Sequence, residues 1–279
     1  MIQISDKTKC CGCTACASVC PKKCITMQYD EEGFLYPVVN VEQCVNCRLC
    51  EKVCPEEKLS DVVTDTSECY AIQNLNKNKR MTSTAGGGAF SLIADYLLEE
   101  DAVVFAVGYD NNMVVCHKMA TDSTALEKMR GSKYVQSNLG NIYHQILHDL
   151  KEGRKVLFAG TPCQVSAVNN CTPKIYKENI LTVDIVCHGV PSQAFYNSYL
   201  NYLSLRNGKI EKYTFRAKRQ VNNGMSCFFS YKTNRSNKTY FRNWPEDTYN
   251  YLYMMSYIYR ESCYNCNYAS SDRPGDITL

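Results

Sequence analysis

From residue 69 onward, short apolar runs alternate with stretches whose apolar residues recur every three or four positions. Residues 102–108, Ala-Val-Val-Phe-Ala-Val-Gly, form a continuous apolar run, the pattern of a strand covered on both faces. Residues 113–119 are suited to pair with it. Residues 155–160 and 180–187 read as two more buried strands, and residues 69–75 as another. Residues 88–99 set Phe90, Ile93, Ala94 and Leu97 on one helical face, and residues 140–152 do the same with Ile142, Ile146, Leu147 and Leu150. Helices are also expected over 162–170 and 192–206, and residues 209–242 alternate as strands do. This succession predicts a mixed α/β domain over 69–279. Residues 61–68 are polar and read as a linker.

The first 60 residues follow a different rule. Ten of the chain's 18 cysteines lie there. Nine of them fall in two runs, Cys10-Cys11-Gly12-Cys13-Thr14-Ala15-Cys16-Ala17-Ser18-Val19-Cys20-Pro21 and Cys44-Val45-Asn46-Cys47-Arg48-Leu49-Cys50-Glu51-Lys52-Val53-Cys54-Pro55. Both read C-x2-C-x2-C-x3-C-P, and each motif position recurs at an offset of 34. This is the bacterial ferredoxin ligand pattern, in which the fourth cysteine of each run serves the other cluster. Cluster I is therefore assigned Cys10, Cys13, Cys16 and Cys54, and cluster II Cys44, Cys47, Cys50 and Cys20. Zinc and disulfides are the simpler alternatives. Zinc sites pair one C-x2-C with a distant pair, which explains the duplicated runs and their prolines poorly. Disulfide scaffolds are usually shorter, secreted chains. Cys11 and Cys24 are left over and read as small buried hydrophobes.

Composition narrows the classes further. Lys and Arg number 31 against 28 Asp and Glu, a net charge of +3, which argues against a nucleic-acid coat or an acidic tail. No apolar run approaches the roughly 18 residues of a membrane span. No signal peptide is visible at the start, and oxygen-sensitive clusters point to a reducing cytoplasm.

Several strand ends carry candidate chemistry. The strand at 155–159 runs into Gly160-Thr161-Pro162-Cys163-Gln164, and the one at 180–186 into Cys187-His188-Gly189-Val190-Pro191-Ser192. Ligands of α/β sheets sit beyond such ends. The glycines at 86–88 open a helix and could present amides to a phosphate, although ordinary turns look the same. Arg130-Gly131-Ser132-Lys133-Tyr134-Val135-Gln136-Ser137 offers cations, hydroxyls and an aromatic suited to an anionic, aromatic cofactor; a solvated turn is the plainer reading. Cys263 and Cys266 form a further pair that, with Cys163 and Cys187, makes four thiols on separate loops. Whether they converge on a metal is a tertiary question. Cys69, Cys116, Cys171 and Cys227 read as core. Residues 206–242 hold 10 basic residues and one acidic residue among interleaved aromatics. A β-sheet with a solvated basic face accounts for that better than nucleic-acid binding, and docking of an acidic electron carrier is the third option.

Together, residues 82–90, 130–137, 160–165, 183–192 and 262–276 resemble the coenzyme F420 hydrogenase/dehydrogenase beta-subunit family, and the amino-terminal module resembles its ferredoxin domain. The resemblance implies an α+β ferredoxin-like module with two 4Fe-4S clusters followed by a mixed α/β flavin-binding domain. It implies an oxidoreductase that passes electrons between the clusters and a flavin, FAD, and on to a hydride- or electron-accepting substrate of the F420 type or another. Ser83, Thr84, Gly86, Gly87, Gly88, Ser132, Lys133 and Tyr134 would contact the flavin, and Gly160, Thr161, Pro162 and Gln164 would line its pocket. Cys163, Cys187, Cys263 and Cys266 would hold a third 4Fe-4S cluster, with His188 a candidate proton donor. Ferredoxin, another redox protein or a partner oxidoreductase subunit would be the partners. A non-catalytic electron-transfer subunit feeding a partner enzyme is the alternative, and a cluster-based sensor a third. One departure stands out: the family continues past Asp276 with a further motif, whereas this chain reads Ile277-Thr278-Leu279 and looks truncated.

Overall fold

The computed structural model of the chain describes residues 1–57, 68–83, 88–221 and 224–279. Its amino-terminal part is built twice on one plan. A 3-10 turn at Lys7–Lys9 leads into the first cysteine loop and helix α1 (Ala15–Ser18). The hairpin β1 (Ile25–Tyr29) and β2 (Leu35–Val39) pairs antiparallel, Ile25 opposite Val39. A second 3-10 turn, Val41–Gln43, then leads into the second cysteine loop and α2 (Leu49–Val53). The sequence repeat is matched in the backbone. Gly12 and Thr14 have φ of 68° and 66°, and their counterparts Asn46 and Arg48 have 51° and 59°. A left-handed conformation costs a residue with a side chain roughly 1–2 kcal/mol. Its recurrence in both loops marks a backbone bent for a purpose, since such turns make concave nests of amides.

The larger part follows in the order α3 (Lys77–Thr82), α4 (Ala89–Glu99), β3 (Val103–Tyr109), β4 (Val115–Ala120), α5 (Ser123–Glu127), α6 (Ile142–Lys151), β5 (Val156–Gly160), α7 (Pro162–Cys171) and β6 (Ile180–Asp184). Then come α8 (Gln193–Asn207), β7 (Ile210–Val221), β8 (Gly224–Thr233), β9 (Ser236–Arg242), α9 (Thr248–Met254) and β10 (Ile277–Thr278). The main sheet has the order β10-β6-β5-β3-β4 and is parallel except for β4. Alternate residues of its buried strands serve two cores. Val103, Phe105, Val156 and Phe158 pack with α6 and α7, whereas Val104, Ala106 and Leu157 pack with α4 and α5. The antiparallel sheet β7-β8-β9 packs through Tyr213, Phe215 and Tyr231 with Tyr196, Tyr199 and Leu203 of α8. The first core also contains Cys11, Cys13, Ala15 and Val53, so the cysteine loops are packed directly onto the α6–α7 layer.

Most expected elements are present, with three corrections. Residues 69–75 form no strand, because a short apolar pattern needs a neighbouring strand to complete its hydrogen bonds. The strand expected to reach 187 ends at Asp184, whose carboxylate, fully buried, accepts from Gly275 N at 3.1 Å and faces Arg273 Nη2 at 3.4 Å. Cys69 and Cys227 are exposed rather than core, and Cys116 and Cys171 are half-buried. The linker expected at 61–68 lies outside the described residues except for its last position. Among the described residues, no helix is long and apolar enough to cross a membrane.

Asp247 joins α8, β7 and α9. Fully buried, it accepts from Tyr199 Oη at 2.8 Å, Tyr213 Oη at 3.1 Å and Asn250 Nδ2 at 2.8 Å. Asp247→Ala leaves these donors unpaired and is expected to cost roughly 3 kcal/mol. Urea denaturation followed by circular dichroism measures this, and a loss below about 1 kcal/mol would contradict the role.

Candidate functional site

Two cavities open in the cysteine module. One is lined by Cys10, Cys11, Cys13, Cys16 and Cys54. The other is lined by Cys20, Cys24, Cys44, Cys47 and Cys50. With Cys11 and Cys24 set aside as the two cysteines outside the ligand pattern, each takes three cysteines from one run and the fourth from the other. The cysteines of the first cavity are all buried, while in the second Cys47 is exposed and Cys20 and Cys44 are half-buried.

The chemistry of the donors fits a cationic core. Burial, with the neighbouring Cys10 and Cys54 thiols, pushes the Cys16 thiol up to about 12, and burial raises Cys54. Buried thiols raised in this way form a site short of positive charge, which bound metal would supply. Backbone amides point at the sulfurs, Ile2 N at 3.4 Å from Cys50 Sγ and Asn46 N at 3.4 Å from Cys44 Sγ. Burial raises Cys20, but the Cys24 amide and thiol and the amides of Lys22 and Lys23 outweigh it, so its thiol is lowered. Among the described residues, no three His, Cys, Asp or Glu side chains converge as ligands of a single ion do. Thiolates of a cubane each bind a separate iron and stand further apart than ligands around one zinc.

The four later thiols do come together. Cys163 lies in the first turn of α7, Cys187 beyond β6, Cys263 in the 3-10 turn Glu261–Asn265, and Cys266 at that turn's end. Every pair among them is near enough for one thiolate to raise the other. Burial first, then these neighbours, pushes Cys187 and Cys263 up to about 12. Cys163 is raised well above the ordinary range, first by Cys11 and then by burial. Cys11 is buried, as expected of a small hydrophobe, but its thiol also sits between Cys13 and Cys163. It therefore lies between the first cavity and the later thiols. The Cys266 segment rests on the module as well: Tyr268 Oη donates to Pro55 O at 3.1 Å and Asn267 Nδ2 to Glu56 Oε2 at 2.8 Å.

The residues linked to a flavin by resemblance fit one only in part. Thr84, Gly86 and Gly87 lie outside the described residues. Gly88 caps α4, and Ser83 Oγ is 2.8 Å from Ser91 Oγ. Lys133 Nζ donates to the carbonyls of Met129 at 2.6 Å, Val107 at 2.8 Å and Arg130 at 3.2 Å, while burial pulls its ammonium down to about 7. Its neighbour Ser132 is half-buried. Thr161 and Gln164 cap each other at the start of α7, with Pro162 at the first position and Gly160 ending β5. Ser83, Lys133, Thr161 and Gln164 are thus bonded within the chain. Tyr134 stacks on Tyr253 at 4.4 Å, and exposed His188 lies 6.0 Å from the same ring and 5.8 Å from Tyr259.

Three functional-site neighbours escaped the sequence reading. Tyr143 Oη donates to Cys13 O at 2.7 Å, and Gln136 Nε2 to Cys11 O at 2.8 Å. Arg260, fully buried, reaches Cys10. A lone cation among Tyr257, Ile258, Tyr259 and Ser262 was its available signal. Beneath the Gly160 turn, Gln164 Nε2 donates to Ser137 Oγ at 2.9 Å, which donates to His117 Nδ1 at 3.1 Å; His117 Nε2 donates to Ala159 O at 3.1 Å. With the imidazole neutral and its proton on Nε2, each of these bonds has one donor and one acceptor.

Two models of one family, the beta subunit of coenzyme F420 hydrogenase/dehydrogenase, match the larger part of the chain. The model of its carboxy-terminal part matches residues 153–279, and that of its amino-terminal part residues 74–143. A 4Fe-4S dicluster domain matches residues 9–58. The chain belongs to the coenzyme F420 hydrogenase/dehydrogenase beta-subunit family and carries a 4Fe-4S dicluster domain. Among solved structures, a chain of the F420-reducing [NiFe] hydrogenase complex from Methanosarcina barkeri is 22% identical, with a TM-score of 0.42, over 61% of this chain and 58% of that one. The match thus spans a little over half of that chain's length. No curated protein matches this chain.

Burial pulls His117 down to about 4, partly offset by the Ala159 carbonyl. Below pH 6.5 the unfolded chain takes up a proton that the folded chain refuses until about pH 4, so stability falls as pH falls through that window. Between pH 7 and pH 5 the loss is about 2 kcal/mol, and His117→Gln should remove it. Urea midpoints of both proteins at the two pH values provide the check; parallel pH dependence would rule out a buried neutral His117.

Proposed function

We propose that the chain is an iron–sulfur flavoprotein oxidoreductase subunit, which carries electrons from an external one-electron carrier to a flavin in its larger part and on to a hydride- or electron-accepting substrate. The observation that supports this most directly is the pair of cavities, each of which brings one crosswise set of four motif cysteines together, with Cys11 beside the first set and Cys24 beside the second. Cys10, Cys13, Cys16 and Cys54 hold cluster I, and Cys20, Cys44, Cys47 and Cys50 hold cluster II. Bound cubanes transfer electrons singly, and a flavin exchanges one electron or two. Cys163, Cys187, Cys263 and Cys266 are the ligands proposed for a third cluster.

The chain's own residues give the relay a direction. Cys47 is exposed, and beside it in the cavity lining Val45 and Leu49 present 57% and 39% of their surface to solvent. Lys22 and Arg48 line the same cavity. This apolar centre with a basic rim suits an acidic one-electron carrier such as a ferredoxin. Cluster I lies inward, where Cys11 and the Cys266 segment adjoin it. The flavin belongs to this reading through the family likeness of residues 130–137 and 160–165, and no step is assigned to it. A second reading, a relay subunit that feeds a partner enzyme without a catalytic site of its own, is favoured by the internal bonding of Ser83, Lys133, Thr161 and Gln164.

Anaerobic purification should yield about eight irons and eight sulfides from the dicluster module, and about twelve of each with the third cluster. Cys54→Ser and Cys16→Ser should remove the same electron paramagnetic resonance signal, and Cys20→Ser the other. If Cys20→Ser and Cys16→Ser removed one common signal, the crosswise assignment would fail. Acid extraction should release a flavin; its absence at full iron content would favour the relay reading.

A further inference from the structure

Arg260 is fully buried and heads the largest side chains in that condition. A guanidinium removed from water requires a compensating charge and a full set of acceptors. Its acceptors are plain. Nε donates to Cys10 O at 2.6 Å, Nη2 to Leu35 O at 2.8 Å, and Nη1 to Gln136 Oε1 at 3.3 Å. Its plane lies over the Tyr36 ring at 4.1 Å and the Phe34 ring at 5.4 Å. Among the described residues, no carboxylate forms an ion pair with it. The one contacting atom able to carry a negative charge is Cys10 Sγ, 3.6 Å from Nη2.

The first cysteine loop is shaped around this cation. A Cβ on Gly12 would lie 2.7 Å from Arg260 Nη1 and 2.8 Å from its Cζ. The second loop, otherwise alike in backbone, carries Asn46 at the equivalent place. The two sites are therefore electrostatically unequal. The buried site has an internal guanidinium against a ligand thiol, with the Glu56 carboxylate within its electrostatic reach; the outer site has the surface cations Lys22 and Arg48, screened by water, and the amino terminus, which is paired with Glu51. Arg260 also joins other parts. Its N–H donates to Val190 O at 3.0 Å, and its carbonyl accepts from Cys263 N at 2.8 Å. The loops that carry Cys187 and Cys263 are thus fastened to Cys10 through one residue.

We propose that Arg260 is the residue that sets the reduction potential of the buried cluster, holding it above that of the exposed cluster so that an electron entering at the surface moves inward. The proposal rests on the cluster assignment above. Reduction adds one negative charge to an already anionic cluster, and burial disfavours that charge. A fixed cation at a ligand sulfur offsets the penalty in a region where interactions are weakly screened. No bond forms or breaks; one electron moves from the outer cluster to the inner.

The test is a redox titration of the full-length, cluster-loaded chain under anaerobic conditions, followed by electron paramagnetic resonance, with dithionite as reductant. In the native protein, the signal lost in Cys54→Ser should be the first to appear on reduction. In Arg260→Gln that cluster should become harder to reduce, shifting the electron distribution between the clusters at least tenfold toward the outer one, whose own midpoint stays fixed. Arg260→Lys should recover most of the difference. A native protein in which the outer cluster is reduced first overturns the proposal without recourse to any variant, even if Arg260→Gln fails to retain iron. Unchanged midpoints in Arg260→Gln at full iron content also overturn it. A native chain without iron, by contrast, removes the cluster assignment itself.

Discussion

The exchange of Cys20 and Cys54 between the two cysteine loops is the constraint on which the rest depends. Each loop curls three thiols around one cavity, and its helix carries the fourth away to the other. Neither cavity is complete without both loops, so the module forms as one unit. The left-handed residues at Gly12, Thr14, Asn46 and Arg48 accept local strain to turn the chain around these cavities. In the first cavity, burial and neighbouring thiols disfavour ionisation of Cys16 and Cys54, which bound metal would reverse.

A second consequence concerns how the module meets the larger part. Cys11, Cys13, Ala15 and Val53 belong to the same core as α6, α7 and the main sheet. The carbonyls of Cys10, Cys11 and Cys13 each accept from a residue of the larger part: Arg260, Gln136 and Tyr143. Carbonyls of an unsupported loop would turn to solvent. Here they are consumed by side chains from distant parts of the chain, which fixes the inner loop while the outer one keeps Cys47 exposed. Rigidity and exposure are therefore divided between two halves that share one sequence motif.

The same accounting bears on the larger part. Its strand-end turn at Gly160 is held by Gln164, Ser137 and a neutral His117, and Lys133 is occupied by three carbonyls. These residues build a firm floor, and an incoming anion would have to compete with bonds already made. Tyr134, Tyr253, Tyr259 and His188 form one aromatic group, and His188 directly follows Cys187 in the chain.

Local pattern alone determined the cysteine pairs, the repeat and the succession of buried strands and amphipathic helices, because spacing of a few residues sets which groups a loop or a helix face can present. Residues 69–75 show the limit: a strand exists only where a neighbour completes its hydrogen bonds, and no short window contains that neighbour. Cys69 and Cys227 proved exposed for a related reason, since apolar surroundings in sequence need not be apolar surroundings in space. The convergence of Cys163, Cys187, Cys263 and Cys266, the place of Cys11 between two thiol groups, and the seat of Arg260 against Cys10 were decided by tertiary structure alone. They join residues up to 250 positions apart, and only the packing of one core brings such residues within range of a hydrogen bond or a charge.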